Sequence, residues 1–186
     1  MVYDLYMSLD LPSPPSPHPA PPGITISPCR PEQFPSLITF IQQHFGSFPG
    51  WVEKYSSLRD TDDIADAILA RRADAGGDDS GAVVAAAVIY TPVGNSQISK
   101  DIPWARTLGE RVGGIGLVGV KSSNGSGVEG EDGVMRALLV AKAVEELKMR
   151  GCRGVFVDWV DEREVSGYAG VGFLIWGKYR EIWSKV

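Results

Sequence analysis

The most suggestive spacing of residues for chemistry is a glycine-rich stretch, Ser122-Ser-Asn-Gly-Ser-Gly-Val-Glu-Gly-Glu-Asp-Gly133. It follows the apolar run Ile115-Gly-Leu-Val-Gly-Val120 and precedes a segment whose Ala137, Val140, Ala141, Val144 and Leu147 recur at helical spacing. A helix that opens directly behind such a loop leaves backbone N–H groups unpaired at the positive end of its dipole, an arrangement suited to phosphate. The side chains carry the opposite sign. From Lys121 to Gly133 one lysine stands against Glu129, Glu131 and Asp132, a net charge of −2. A carboxylate about 6 Å from a phosphate costs roughly 3 kcal/mol at an effective dielectric near 20, more than the ~2 kcal/mol a helix terminus supplies. The acids are therefore expected to point away from any bound phosphate, or simply to complement the dipole of their own helix.

The glycines also satisfy Gly-x-Gly-x-x-Gly twice, at Gly114 to Gly119 and at Gly125 to Gly130. The first match lies inside a strand. The second follows a strand and precedes a helix, so a dinucleotide-binding domain is an alternative, with Asp158 as the ribose-binding acid. Asp158 stands 28 positions beyond Gly130, where about 20 is usual, and a chain this short has no second mononucleotide half. Nucleophilic and metal chemistry find little support. His18 sits among prolines and His44 ends a helical segment, while Cys29 and Cys152 show neither metal-ligand spacing nor a disulfide framework. No metal is expected. Carboxylates able to take a proton include Glu110, Asp158 and Asp161.

Positioning these groups requires a strand, a helix and a second strand between Gly113 and Gly172. Gly151 stops the helix, and Gly154-Val-Phe-Val-Asp-Trp-Val160 is β-branched and aromatic with little alternation, as in a strand covered on both faces. Upstream, Pro31 and Pro35 mark the start of a helix with Phe34, Leu37, Ile38, Ile41 and Phe45 on one face, ended by Gly46. A shorter helix covers residues 51–58. Residues 67–71 and Ala82-Val-Val-Ala-Ala-Ala-Val-Ile-Tyr90 read as hairpin strands, and residues 92–114 as a long excursion. Residues 173–183 alternate well enough for a last strand or strand pair. The segment 11–23 is an extended, proline-rich linker, so the expected division is an N-terminal segment, 1–22, and a folded domain, 23–186. Residues 1–11 are apolar enough to be a disordered tail, a docked strand or a remnant of another domain.

Bulk composition narrows the partners. The formal charge of −5 and pI near 5.0 disfavour broad attraction to nucleic acid or anionic lipid and leave cationic substrates easy to accommodate. Neither a membrane span nor a signal peptide is legible, so the expected location is cytoplasmic.

The chain resembles the GNAT superfamily of N-acetyltransferases. The family's Gln/Arg-x-x-Gly-x-Gly/Ala loop is similar to Gly130-Glu-Asp-Gly133-Val-Met135, and its Tyr-x-x-x-Gly-Phe signature to Tyr168-Ala-Gly-Val-Gly172-Phe173. This resemblance implies an α/β fold with a mixed, mostly antiparallel sheet of six to seven strands and helices on both faces. It further implies two parallel strands that splay apart to receive the pantetheine arm of acetyl-CoA at Leu117, Val118 and Val120. Amides of Gly130, Glu131, Asp132, Gly133, Val134 and Met135 would hold the pyrophosphate, and Tyr168 would protonate the departing thiolate. The implied reaction moves an acetyl group from acetyl-CoA to an amine of a small molecule or protein, with a homodimer possible. Direct amine attack needs no protein nucleophile. The other reading within this fold is a non-catalytic accessory module.

Overall fold

A computed structural model describes residues 1–11, 19–73, 81–92, 94, 108–121 and 129–180. Seven strands form one sheet: β1 (Val2–Ser8), β2 (Ile24–Pro28), β3 (Ala67–Arg72), β4 (Ala82–Tyr90), β5 (Val112–Val120), β6 (Gly154–Asp161) and β7 (Leu174–Tyr179), in the order β2-β3-β4-β5-β6-β1-β7. Among the described residues four α-helices accompany it: α1 (Phe34–Phe45), α2 (Trp51–Asp60), α3 (Glu129–Met149) and α4 (Val165–Val171). Every strand pair is antiparallel except β5–β6. The expected mixed, mostly antiparallel sheet with helices on both faces is the observed one.

Side-chain alternation sorts the two layers. Ile68 and Ala70 of β3 and Ala85, Ala87 and Ile89 of β4 face α3, packing with Leu139, Ala143 and Leu147. Ala67 and Leu69, with Ala86, Val88 and Tyr90, face α1 and α2, where Leu37, Ile41, Tyr55 and Leu58 meet them. With both faces covered, the strands read as unbroken apolar runs. Burying one leucine of this kind stabilises the fold by about 1.5–3 kcal/mol, and Leu139, Leu147, Leu37 and Leu58 are all buried. The start of α1 is fixed upstream of the helix: the Arg30 N–H donates to Gln33 Oε1 at 3.0 Å across a single 3-10 turn that begins at Pro31.

Strand β1 corrects the expected division at Gly23. Residues 2–8 lie between β6 and β7 and pair with both, Tyr6 opposite Phe156 on one side and Leu174 on the other. Leu5 and Met7 are buried in the main core, and Asp10 is held by Arg153 at 2.8 and 2.9 Å. The proline-rich stretch suggests separation by its composition, but the alternation Val2, Tyr3, Leu5, Met7, Leu9 belongs to a strand of the sheet. Of the readings left open for residues 1–11, the docked strand is what the structure contains. Part of the linker, residues 12–18, lies outside the described residues, as do the hairpin turn at 74–80, most of the excursion at 95–107 and the end of the aromatic tail at 181–186.

Candidate active site at the strand divergence

The parallel pair β5–β6 is joined only at Val112–Gly154, Gly113–Val155 and Gly114–Phe156. Both strands run on, β5 to Val120 and β6 to Asp161, without further pairing to each other. Two irregularities open this gap. On the β4 side the register jumps from Ala86–Gly119 to Val88–Gly116, and Leu117 in the bulge has φ 50°. On the β1 side it jumps between Tyr3–Val160 and Leu5–Val157, and Trp159 has φ 56°. Positive φ is uncommon for residues other than glycine, so a bulge on each strand next to the same opening marks a built feature. The glycines of β5 serve close packing here. A Cβ on Gly114 would stand 1.9 Å from the Tyr90 ring, and one on Gly119 would stand 2.7 Å from the Phe45 ring.

The bulge carbonyls are taken by side chains arriving from opposite faces. From α2, the Tyr55 hydroxyl donates to the Leu117 carbonyl at 2.8 Å. From α3, Arg136 Nη1 donates to the Val118 carbonyl at 3.3 Å, and its Nη2 meets Glu164 Oε1 at 2.7 Å. Leu117 packs against the α1–α2 layer, whereas Val118 and Val120 pack against the α3 layer. All three predicted cofactor-contacting residues of β5 thus stand at the divergence.

The predicted phosphate-binding residues fall differently. Glu129 already opens α3, so Gly130, Glu131, Asp132, Gly133, Val134 and Met135 form its first two turns rather than a loop. The N-cap amide and those of the first three helical residues lack an intrahelical partner, which leaves the amides of Glu129, Gly130 and Glu131 for an anion and pairs that of Asp132 within the helix. Those of Gly133, Val134 and Met135 are within reach of carbonyls four residues back, and Met135 is buried in the core beneath the sheet. The glycine-rich residues 122–128 lie outside the described residues.

Tyr168 is on α4, which ends at Gly172 with φ 112°. It is 3% exposed and meets the Phe173 ring edge-on at 5.8 Å. Burial pushes its phenol up to about 12; the Arg136 guanidinium opposes that shift, while Glu164 and Asp158 add to it. Of the three candidate bases, Asp158 alone belongs to this neighbourhood. It is solvent-accessible at the β6 bulge, yet desolvation raises its carboxyl above the usual range; nearby Asp4 adds to the rise and Lys54 of α2 opposes it. Tyr90, buried beneath, is raised well above an ordinary phenol by burial and by the charges of Asp158 and Tyr168. Glu110 is exposed in the turn before β5, and Asp161 accepts from the Arg163 N–H at 3.0 Å. Burial pushes the Cys29 thiol up to about 12 and raises that of Cys152, as expected of inert core thiols.

Arg136, Tyr55, Tyr90 and Lys54 are the residues that sequence reasoning missed. Arg136 offered one signal, as the first cation behind the acidic start of the helix. The two tyrosines are indistinguishable in sequence from ordinary core residues. Above β5, Phe45 stacks on Trp51 at 5.0 Å and Phe48 lies 5.5 Å from Trp51, so an aromatic roof covers this end of the opening. Among the described strands only β5 and β6 are parallel, which removes the sheet that a dinucleotide-binding fingerprint requires. Among the described residues, no helix is long and apolar enough to cross a membrane.

Sequence comparison finds no family model and no characterised protein that matches. Solved structures do match. A GCN5-related glucosamine N-acetyltransferase region in a fungal multi-domain GH3 beta-N-acetylglucosaminidase aligns over 94% of this chain and 20% of its own, at 27% identity and TM-score 0.70. A GCN5-related N-acetyltransferase from Sphaerobacter thermophilus aligns over 94% of this chain and 48% of its own, at 20% identity and TM-score 0.62. An acetyltransferase from the GNAT family from Colwellia psychrerythraea aligns over 95% of this chain and 53% of its own, at 12% identity and TM-score 0.57. The chain spans about a fifth of the fungal protein and about half of each bacterial one.

Proposed function

We propose that this chain, whose fold is that of the GNAT N-acetyltransferases, moves an acetyl group from acetyl-CoA to a primary amine. The observation that carries the reading is the divergence of β5 and β6 with a bulge on each strand, because backbone groups that the two strands no longer offer each other beside a cleft favour another partner, such as an amide-bearing chain. Pantetheine is such a chain. Leu117, Val118 and Val120 would line its arm, and the amides at the start of α3, at Glu129, Gly130 and Glu131, would meet its phosphates. Residues of this chain supply the rest. Asp158, with its raised carboxyl, is suited to take the proton as the amine nitrogen attacks the thioester carbon. A C–N bond forms, the C–S bond breaks, and the Tyr168 hydroxyl protonates the thiolate. The fungal structural neighbour makes glucosamine the first acceptor to try.

Two features favour a second reading, a non-catalytic accessory or interaction module. Acids crowd the start of α3, and burial weakens Tyr168 as an acid. Calorimetric titration of acetyl-CoA, followed by CoA release with glucosamine and with simple aliphatic amines, separates the two. Binding with amine-dependent release is expected. Binding without release, or absence of binding, would overturn the acetyltransferase reading and favour the module.

A further inference from the structure

We propose that Arg136 is a positioning residue: it ties the Val118 carbonyl to the Glu164 carboxylate and thereby holds the Tyr168 hydroxyl toward the departing sulfur. This rests on the acetyltransferase reading. The argument begins with connectivity. Arg136 stands about two turns into α3, and its guanidinium spans the β5 bulge and the residue that opens α4, elements that share no strand pairing. Its side chain is 17% exposed and that of Glu164 36%, so water reaches the ion pair mainly from the carboxylate side. The planar fork suits this task, because one nitrogen serves a carbonyl and another a carboxylate without repositioning the side chain. Glu164 and Tyr168 are four residues apart, one helical turn, so fixing the first fixes the face on which the second sits.

Charge gives the tie a second effect. The groups that act on the Tyr168 phenol are Arg136 from α3, Glu164 beside it on α4 and Asp158 from β6, with Tyr90 of β4 also close, and of these Arg136 alone is a cation. Burial and both carboxylates oppose loss of the phenolic proton; the guanidinium favours it. A pin that served only packing would need neither the charge nor the shared reach to the bulge carbonyl and the phenol.

The test uses the full chain in five forms: wild type, Arg136→Gln, Arg136→Lys, Tyr168→Phe and the Arg136→Gln/Tyr168→Phe pair. Steady-state rates with acetyl-CoA and the best amine are expected to show kcat reduced at least about 10-fold by Arg136→Gln, with KM for acetyl-CoA changed less than about 3-fold. Arg136→Lys, which keeps the charge but not the fork, should recover part of the loss. In the Tyr168→Phe background, Arg136→Gln should cost nothing further, since its effect passes through the missing hydroxyl. Losses that multiply in the pair would overturn the proposal. Ultraviolet titration of tyrosinate provides an arm independent of turnover. Subtracting the Tyr168→Phe curve isolates this phenol, and its midpoint should move to higher pH in Arg136→Gln. An unmoved midpoint overturns the proposal even in a protein without activity, whereas failure of turnover alone with a shifted midpoint overturns only the acetyltransferase reading. Should Arg136→Gln fail to fold, Arg136→Lys carries the same comparisons: kcat reduced and dependent on Tyr168 supports the tie, and unchanged kcat refutes it.

Discussion

Tyr168 shows how far a single residue can be read before its surroundings are known. Its place before Gly172-Phe173 singles it out in the sequence, and an ordinary phenol near 10 would sit close to the thiol it serves. Burial changes that balance by pushing it up to about 12. Under the proposed reaction, proton donation would then depend on Arg136, which comes from another element and has no motif to announce it. Replacing Tyr168 with Phe keeps the ring against Phe173, so the melting point and acetyl-CoA affinity should hardly move. Turnover should fall toward the low end of about 100- to 10,000-fold, since a thiolate leaves readily without help. A destabilised but fully active variant would exclude the hydroxyl from the reaction. Alkaline stability gives a second check. A group whose folded pKa is raised contributes stability that is intact below the unfolded value near 10 and is lost as pH rises through the folded value near 12. Tyr55 and Tyr90, also raised by burial, act in the same direction. Melting points should fall steeply between about pH 10 and 12, and less steeply in Tyr168→Phe; identical profiles would mean that this phenol titrates as an exposed one.

At the scale of elements, the long helix and the helix pair are legible from apolar residues at helical spacing, and the strands β3 to β6 from short apolar runs set between turn residues. Strand β1 is not, because its pairing partners lie about 150 and 170 residues downstream and seven residues of alternation do not name a partner. The start of α3 is hard to read for a different reason: Gly130 and Gly133 look like loop, but the acids between them suit a first turn. Those acids allow a direct test. If they oppose the phosphates, changing Glu131 to Gln and Asp132 to Asn together should tighten acetyl-CoA several-fold by calorimetry, and weaker binding would mean that they hold the cofactor. For β1, removal of residues 1–9 leaves β6 and β7 without the strand between them and takes Leu5 and Met7 from the core. Loss of one such side chain costs about 2–5 kcal/mol, comparable to the stability of a whole domain. The shortened protein should lack a cooperative melt, and a synthetic peptide of residues 1–11 should restore it. A cooperative melt near that of the full chain would mean that β7 closes directly onto β6.

The molecule as a whole is a sheet of two parts meeting at three residue pairs. One part, β2 to β5, carries the α1–α2 layer; the other, β6, β1 and β7, carries α4 and Tyr168. Helix α3 packs across the join, with Arg150 at its far end on the largely buried Asp66 and Arg136 near its start on Val118 and Glu164. A ligand lying between residues 116–120 and 157–161 would supply contacts the two parts lack and join them along their whole length. Binding only the folded state, acetyl-CoA at about 100 times its dissociation constant should stabilise the protein by about 2.7 kcal/mol, which for a chain of this size raises the melting point by several degrees. Where the protection falls is more discriminating than its amount. Hydrogen exchange should slow most at the amides of residues 116–120 and at the start of α3, with little change in β2 or β7, because opening of the gap is local while those outer strands exchange by other routes. Uniform slowing across the sheet would place the ligand elsewhere. No slowing at residues 116–120, in a sample whose melting point has risen, would mean that the cofactor does not enter between β5 and β6.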